Sequence, residues 1–333
     1  MSSHLPIIHS IIDAYALSEF ISKAWDLPAP IHCELLTRGM NDVYLVRDGK
    51  GTRWACRVWR SGFRSQNDVH YETAFLGFLD SKGLPVAVAL TARDGALFQP
   101  LMAIEGQRYC AIFRWASGEP YGDNPDSKRA HILGEAFGQM HKLVNEFYPP
   151  VSRFVDAPGK MRAELGALQK MNRHRPQDLE WYSQAVEVIA AALEKISPKV
   201  IPMGATHGDF HLFNAFFDEE SFTLLDFDNC GSDYFISELN SFIWANHYVG
   251  GIDESINESF LDGYCSQRKM TEEELSLMPI FYAAKEMRFL CGFASNVNAV
   301  GHTTLLNPNL DWFAERTRKT WPVYQYNGLC RTT

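Results

Sequence analysis

Apolar positions follow two regimes along the chain. Up to about residue 116 they cluster in short runs, "IHCELLTRGMNDVYLVRDGKGTRWACRVWR", "LPVAVAL" and "ALFQPLMAIEGQRYCAIFRWA". Runs of this length, punctuated by turn signals such as "RDGKG", predict strands joined by hairpins. One segment among them differs. "SQNDVHYETAFLGFLDSKG" repeats its apolar residues at helical spacing, with Val69, Ala74 or Thr73, Leu76 and Leu79 near one face and Gly83 as a stop. The N-terminal "MSSHLPIIHSIIDAYALSEFISKAW" reads as an amphipathic helix. "SGEPYGDNPDSK", rich in Gly, Pro, Asp and Ser, marks a boundary. Beyond it "KRAHILGEAFGQMHKLVNEF", "MRAELGALQKM", "EWYSQAVEVIAAALEKI" and "EEELSLMPIFYAAKEMRFLCGFA" carry apolar helical faces. One short β-like island, residues 203–228, interrupts them. The elements predict an α+β chain: a small β-rich N-lobe over 1–116 with one inserted helix, and a larger, mostly helical C-lobe over 117–333.

Composition narrows this little. The 333 residues suffice for two lobes, and 46% hydrophobic with 21% charged residues is ordinary for a globular protein. A net charge of -9 argues against a nucleic-acid partner. It suits a cationic ligand no better than it suits solubility. Seven cysteines lie far apart with no Cys-x-x-Cys pair. An odd, scattered set predicts buried free thiols in a reducing compartment, without zinc or a disulfide framework. No Lys or Arg precedes Lys23, so the N-terminus lacks the basic start of a secretory signal. No apolar run approaches the roughly 20 residues of a membrane span. The expectation is a cytoplasmic protein with no membrane partner.

The chemistry concentrates in the island. "THGDFHLFNAFF", Thr206 to Phe217, packs two histidines, an aspartate and an asparagine among apolar residues, and "LLDFDN" follows. Asp209 and Asn214 stand five positions apart, the spacing of the base and the metal-binding Asn in a protein-kinase catalytic loop. Such a loop sets a carboxylate beside an incoming hydroxyl and, one turn on, aims an amide oxygen at Mg²⁺. Asp226 comes after a predicted hairpin, "FFDEESFTLLDFD", where a carboxylate can take Mg²⁺ bridging ATP phosphates. Hard oxygen donors with an incomplete protein shell suit that ion.

"HGDFHLFN" followed by "LLDFDNCG" resembles the motif pair of the aminoglycoside phosphotransferase and choline kinase superfamily. The resemblance implies a protein-kinase-like two-lobed fold and transfer of the γ-phosphoryl group of ATP to a hydroxyl. It implies Asp209 as catalytic base, Asn214 and Asp226 as Mg²⁺ ligands, and His207 and Asp228 as supporting residues; His211 reads as a supporting residue or as a loop histidine that only hydrogen-bonds backbone. "SELNSF" resembles the family's Asp-Leu-Ala segment, with Glu238 in place of the usual Asp. "LTRGMNDVYLV" resembles the nucleotide-covering loop, with Gly39 and Asn41 at its turn but without a full Gly-x-Gly-x-x-Gly. "WACRVWR" puts Arg57 where kinases carry Lys; a guanidinium there can still neutralise phosphates, as a planar fork. Glu72 is its implied ion-pair partner. The resemblance spans about residues 30–245 in consistent order. "RVWRSGFRSQNDVHYETAFLGFLDSKGLPV" is similar to the bacterial stress-response kinase and homoserine-kinase-like branches.

Several residues carry blander readings. A lone loop carboxylate is usually a cap or turn residue; the ordered set Asp209, Asn214 and Asp226 behind a matching N-lobe favours function. His141 on "FGQMHKL" reads as a packed histidine, and Arg60 and Arg64 as solvated charge. Glu272 to Glu274 after Thr271 read as a capped helix start. Trp244, His247, Tyr248, Phe281 and Tyr282 read as core first and acceptor-pocket lining second. The leading expectation is a kinase for a small-molecule hydroxyl, on an antibiotic, an amino alcohol or a sugar. The alternative is a protein Ser/Thr kinase of the stress-response type. A metal-dependent phosphoesterase has the alternating His207, Asp209 and His211 but no second Asp/His cluster. A non-enzymatic nucleotide-binding scaffold has only the Arg57 substitution in its favour.

Overall fold

The computed structural model describes residues 5–171, 176–219, 221–249 and 254–300. The chain divides into two units. One holds the chain up to residue 118 together with 148–153 and 216–225; the other holds 119–147, 154–215 and the chain from 226 on. The expected C-lobe ran to 333, and its last stretch, 301–333, lies outside the described residues.

The first unit is built on a five-stranded antiparallel sheet. Its strands are β1 (His32–Arg38), β2 (Asn41–Arg47), β3 (Arg53–Trp59), β4 (Gln99–Ala103) and β5 (Gly106–Arg114), in the order β1-β2-β3-β5-β4. "RDGKG" does turn β2 into β3: the Asp48 carboxylate accepts the backbone N–H groups of Lys50 and Thr52 at 2.9 and 2.8 Å, and Gly51 takes φ +86°. Alternation along the strands sends Tyr44, Val46, Cys56, Val58, Cys110 and Ile112 to one face, where Leu17 and Ile21 of α1 (Ala14–Ala24) and its C-cap Trp25 pack on them. Arg57 lies between Cys56 and Val58, so it points to the opposite face. There it meets α2 (Gln66–Ser81), which starts in a reciprocal capping box of Ser65 and Asp68 and is followed by Gly83 at φ +82°.

Two expectations need correction in this unit. The N-terminal helix begins only at Ala14, with Asp13 as its cap. The residues before it are held in another way: Ser10 donates its N–H and hydroxyl to Glu105, His9 Nε2 meets Asp42 at 3.0 Å, and the fully buried Arg108 donates to the Ser10 carbonyl and the Asp42 carboxylate. Side chains and carbonyls committed to these bonds are unavailable to a helix. "LPVAVAL" forms isolated bridges, not a strand: Val86 pairs with Leu224 and Ala89 with Phe113. Pro85 has no N–H to give a ladder, and its carbonyl accepts the Leu224 N–H at 2.8 Å.

The second unit is helical. α3 (Ser127–Leu143), α4 (Ala157–Met171), α5 (Pro176–Leu193), α6 (Phe235–Val249), α7 (Glu254–Gln267) and α8 (Glu272–Val300) surround a short antiparallel ladder of Met203–Thr206 with Gly231–Tyr234. α3 and α7 approach closely because Gly134 and Gly263 face the other helix's backbone; a Cβ on either would stand 2.0 Å from a carbonyl oxygen. Phe137, Phe210, Phe242 and Phe260 stack at the centre, with ring centroids 4.1 Å apart for Phe137–Phe210 and 4.0 Å for Phe242–Phe260. Cys33, Cys56, Cys110, Cys230 and Cys291 are free thiols. Among the described residues no helix is long and apolar enough to cross a membrane.

Arg108 sets a stability test. Removing one member of a buried ion pair strands the other, so Arg108→Met is expected to lower the unfolding free energy by about 3–5 kcal/mol in urea titration. Arg108→Met with Asp42→Leu should recover part of that loss.

Candidate functional site

The loop after Thr206 is shaped by backbone hydrogen bonds to side chains. His207 and Gly208 both donate their N–H groups to Glu238 of α6, at 2.9 Å to Oε2 and 2.9 Å to Oε1. Gly208 takes φ +85°, and a Cβ there would stand 2.0 Å from the Asn229 carbonyl oxygen. Glycine is therefore required twice, for the left-handed turn and for the close approach. His207 is fully buried, with its ring 4.3 Å from Phe227, and its Nδ1 accepts the Asp209 N–H at 3.4 Å. Phe210 plugs the loop into the phenylalanine stack.

Glu238 does not stand alone. His141 Nε2 lies 3.2 Å from Glu238 Oε2 and its Nδ1 2.8 Å from the Tyr264 hydroxyl. Arg268 donates to that hydroxyl at 2.9 Å and to Glu274 at 2.9 Å. Glu274 and Thr271 cap α8 reciprocally, as the acidic run suggested. One proton arrangement satisfies the chain: Arg268 donates to Tyr264, Tyr264 to His141, and a neutral His141 to Glu238. Burial pulls the His141 pKa below 6.5, more strongly than Glu238 pulls it up. The expected packed histidine is thus also a strut of the loop, and Glu238 reaches two N–H groups with one carboxylate.

Asp209 projects from this loop. Lys285 Nζ of α8 lies 2.5 Å from its Oδ1, and Asn229 Nδ2 donates to Oδ2 at 3.3 Å. Burial pushes the carboxyl pKa up, but the Lys285 ammonium and the two histidines, His211 and His207, outweigh it and hold Asp209 well below the usual carboxylate range. His211 in turn is pulled down by burial, against the upward pull of Asp209. Its Nδ1 accepts the Phe213 N–H at 3.2 Å.

Asn214 closes the loop on itself. Its N–H donates to the His211 carbonyl at 2.9 Å and its Nδ2 to the Asp209 carbonyl at 3.0 Å. The second bond uses an amide N–H and leaves Oδ1 as the side chain's acceptor. Asp226 has φ 58° and ψ 58°, a left-handed conformation that a non-glycine residue holds at some cost and that clusters at functional sites. Asp228, two residues on, is buried. An amide oxygen and one carboxylate fit a hard cation that draws its other ligands from water and phosphate. Among the described residues no three His, Cys, Asp or Glu side chains gather as a metal cluster.

In the sheet unit, Arg57 donates to Glu72 at 2.6 Å, with the Glu72 side chain only 1% exposed. The guanidinium also lies over Trp59 and Phe113. Gly39 and Asn41 sit at the β1–β2 turn, where the Gly39 N–H meets the Asn41 carbonyl at 3.1 Å. Arg60, read from sequence as solvated, is buried and donates to the Gly39 carbonyl at 2.8 Å. Sequence reasoning missed Lys285 and Asn229. Asn229 stood within the quoted "LLDFDN"; nothing in the sequence singled out Lys285.

Known proteins resemble this chain. The sequence model of the phosphotransferase enzyme family (APH) matches residues 33–276. An uncharacterized protein of Deinococcus radiodurans is 31% identical over 315 residues, covering 91% of this chain and 88% of that one. The homoserine kinase of Allorhizobium ampelinum is 24% identical over 292 residues, 85% of this chain and 86% of that enzyme. Among solved structures, amicoumacin kinase hAmiN in complex with AMP-PNP, Ca²⁺ and Ami matches with TM-score 0.77 at 17% identity, covering 93% of each chain. The expected kinase-like fold, with a small antiparallel sheet and a helical part, is the fold observed.

The His141 strut carries a pH signature. A histidine whose pKa is lower folded than unfolded binds fewer protons in the native state, so stability falls as pH drops below about 6.5. The slope for one such group is at most about 1.4 kcal/mol per pH unit. Melting temperatures recorded from about pH 7 to about pH 5 should fall for the wild type and fall less steeply for His141→Gln.

Proposed function

The chain belongs to the phosphotransferase enzyme family, and from that premise we propose that it moves the γ-phosphoryl group of ATP to a hydroxyl of a small molecule. The observation that carries the proposal is the closed loop from Asp209 to Asn214. One turn carries the Asp209 carboxylate and, fixed by its Nδ2 bond to the Asp209 carbonyl, the Asn214 amide. That pairing serves phosphoryl transfer, in which positioning and charge stabilisation do most of the catalytic work. Relatives that act on small alcohols, such as the homoserine kinase, and the nucleotide-bound amicoumacin kinase support it.

In this reading Asp209 accepts the hydrogen bond of the acceptor hydroxyl and orients its oxygen toward the γ-phosphorus. That oxygen forms the new P–O bond, the bond to the bridging oxygen breaks, ADP leaves, and the hydroxyl proton passes by Asp209 to solvent. A carboxylate held so firmly ionised is a weak base, which makes orientation its larger contribution. Asn214 and Asp226 would hold Mg²⁺, whose charge offsets that of the phosphate oxygens. Arg57, fixed by Glu72 on one side and aromatic rings on the other, would face the α- and β-phosphates. Gly39 and Asn41 would line the nucleotide from the β1–β2 turn. His207, His211 and Asp228 support the loop.

The test is Mg²⁺-dependent ATP consumption with pooled acceptors, read by product mass spectrometry. The pools hold antibiotics, amino alcohols, sugars and one generic protein substrate. A product heavier by one phosphate is expected from the wild type, and Asp209→Asn should lower kcat/KM by about 10²–10⁴-fold while still binding nucleotide. Phosphate on protein alone would replace the small-molecule acceptor with a protein one. Neither transfer nor nucleotide binding by the wild type would sink the proposal.

A further inference from the structure

Lys285 is the feature the phosphotransferase reading leaves unused. It comes from α8, far along the chain from the loop, and its ammonium lies against Asp209 Oδ1 and 5.6 Å from the centroid of the Trp244 ring. Its side chain is 12% exposed, while that of Asp209 is 38% exposed. The carboxylate is thus reachable from solvent and the lysine forms part of the wall beside it. Trp244 itself is 4% exposed and clamped, stacked on Tyr248 at 5.0 Å and against Phe289 at 4.7 Å. Its Nε1–H is buried with no hydrogen-bond partner among the described residues. A buried, unpartnered donor is costly and rare in native structures, and this ring cannot turn to find a partner without leaving its stack.

The two groups share one chemical character. An ammonium has three N–H donors and no acceptor, and an indole has one donor and no acceptor. The bond to Asp209 uses one of the lysine's three. Apart from Asp209 itself, these two side chains offer a ligand donors and no acceptor. A cationic acceptor would meet Lys285 as a like charge in partly desolvated surroundings, or would have to replace one ammonium by another on Asp209. A carboxylate-bearing acceptor gains a charge-assisted hydrogen bond from Lys285. It takes one of the two ammonium donors that Asp209 leaves unused, so the Lys285–Asp209 pair stays in place.

We infer that Lys285, with Trp244 beside it, selects an acceptor carrying a carboxylate near its hydroxyl: a hydroxy acid or hydroxy amino acid. The inference rests on the phosphotransferase reading of the same site. Lys285 is then a specificity-determining residue, and Asp209 keeps its role whichever acceptor is bound.

The test compares hydroxy acids and hydroxy amino acids of two to five carbons with their amides and with the matching amino alcohols. Steady-state transfer is measured for wild type, Lys285→Met, Lys285→Arg and Trp244→Phe. The wild type should favour an acid over its amide by roughly 10- to 100-fold in kcat/KM, the span of one charge-assisted hydrogen bond, mostly through KM. Lys285→Met should collapse that ratio toward one, Lys285→Arg should retain most of it, and Trp244→Phe should reduce it. Equal losses on acid and amide in Lys285→Met would mean a structural counter-ion and overturn the inference. So would a wild-type preference for amides or amino alcohols, which needs no foldable variant to detect. Nucleotide binding with transfer to no acid would overturn it too. Absence of both nucleotide binding and transfer would instead overturn the phosphotransferase reading beneath it.

Discussion

One buried carboxylate, Glu238, receives two consecutive backbone N–H groups, and the loop that carries Asp209 is shaped around that interaction. His207 and Gly208 cannot both aim their N–H groups at one side chain unless the chain turns sharply between them and the next residue, and the positive φ of Gly208 is that turn. Hydrogen bonds to an ionised acceptor are worth about 1.5–3 kcal/mol each, and these two sit away from water. Behind Glu238 the strut of His141, Tyr264, Arg268 and Glu274 leaves each proton one place to go. The loop is therefore fixed from behind by a polar chain and from below by the phenylalanine stack through Phe210. Its rigidity is supplied by α3, α6, α7 and the start of α8, none of which contributes a reacting group.

The side facing solvent obeys a different logic. There Asp209, Asn229, His211 and Lys285 stand close together, and burial alone would favour a neutral aspartic acid. The lysine reverses that. The resulting carboxylate is poorly suited to removing a proton and well suited to holding a hydroxyl in line, which is what a loose phosphoryl transition state asks for. Asn214, locked to the Asp209 carbonyl, ties the second candidate function to the first, so displacement of one displaces the other.

The candidate set was legible in the sequence because its members fall within a short span. Asp209, Asn214 and Asp226 fall in one loop and the segment after one hairpin, and spacing along a chain reports such local constraints well. Arg57 and Glu72 were legible for the same reason, as a strand residue and a residue on the next helix. Lys285 was not, since 76 residues separate it from Asp209 and a lysine on a helix is ordinarily a surface residue. Glu238 could be seen only as a departure from Asp; that its two oxygens divide between two N–H groups is a fact of packing. α6 gave no periodic signal because nearly every side is buried, and amphipathic periodicity needs a wet face. The N-terminal helix was overextended because its apolar residues suggested a face, while His9 and Ser10 are held by partners far along the chain.

The most direct measurement is a double-mutant cycle on phosphoryl transfer between Glu238→Gln and Asp209→Asn. If Glu238 acts by presenting Asp209, Glu238→Gln should lower kcat/KM by about 10-fold or more in the wild-type background and by much less once Asp209 is Asn, a clearly non-additive cycle. Losses that simply add would show that Glu238 stabilises the fold without positioning Asp209, and would contradict the loop-centred view of this site.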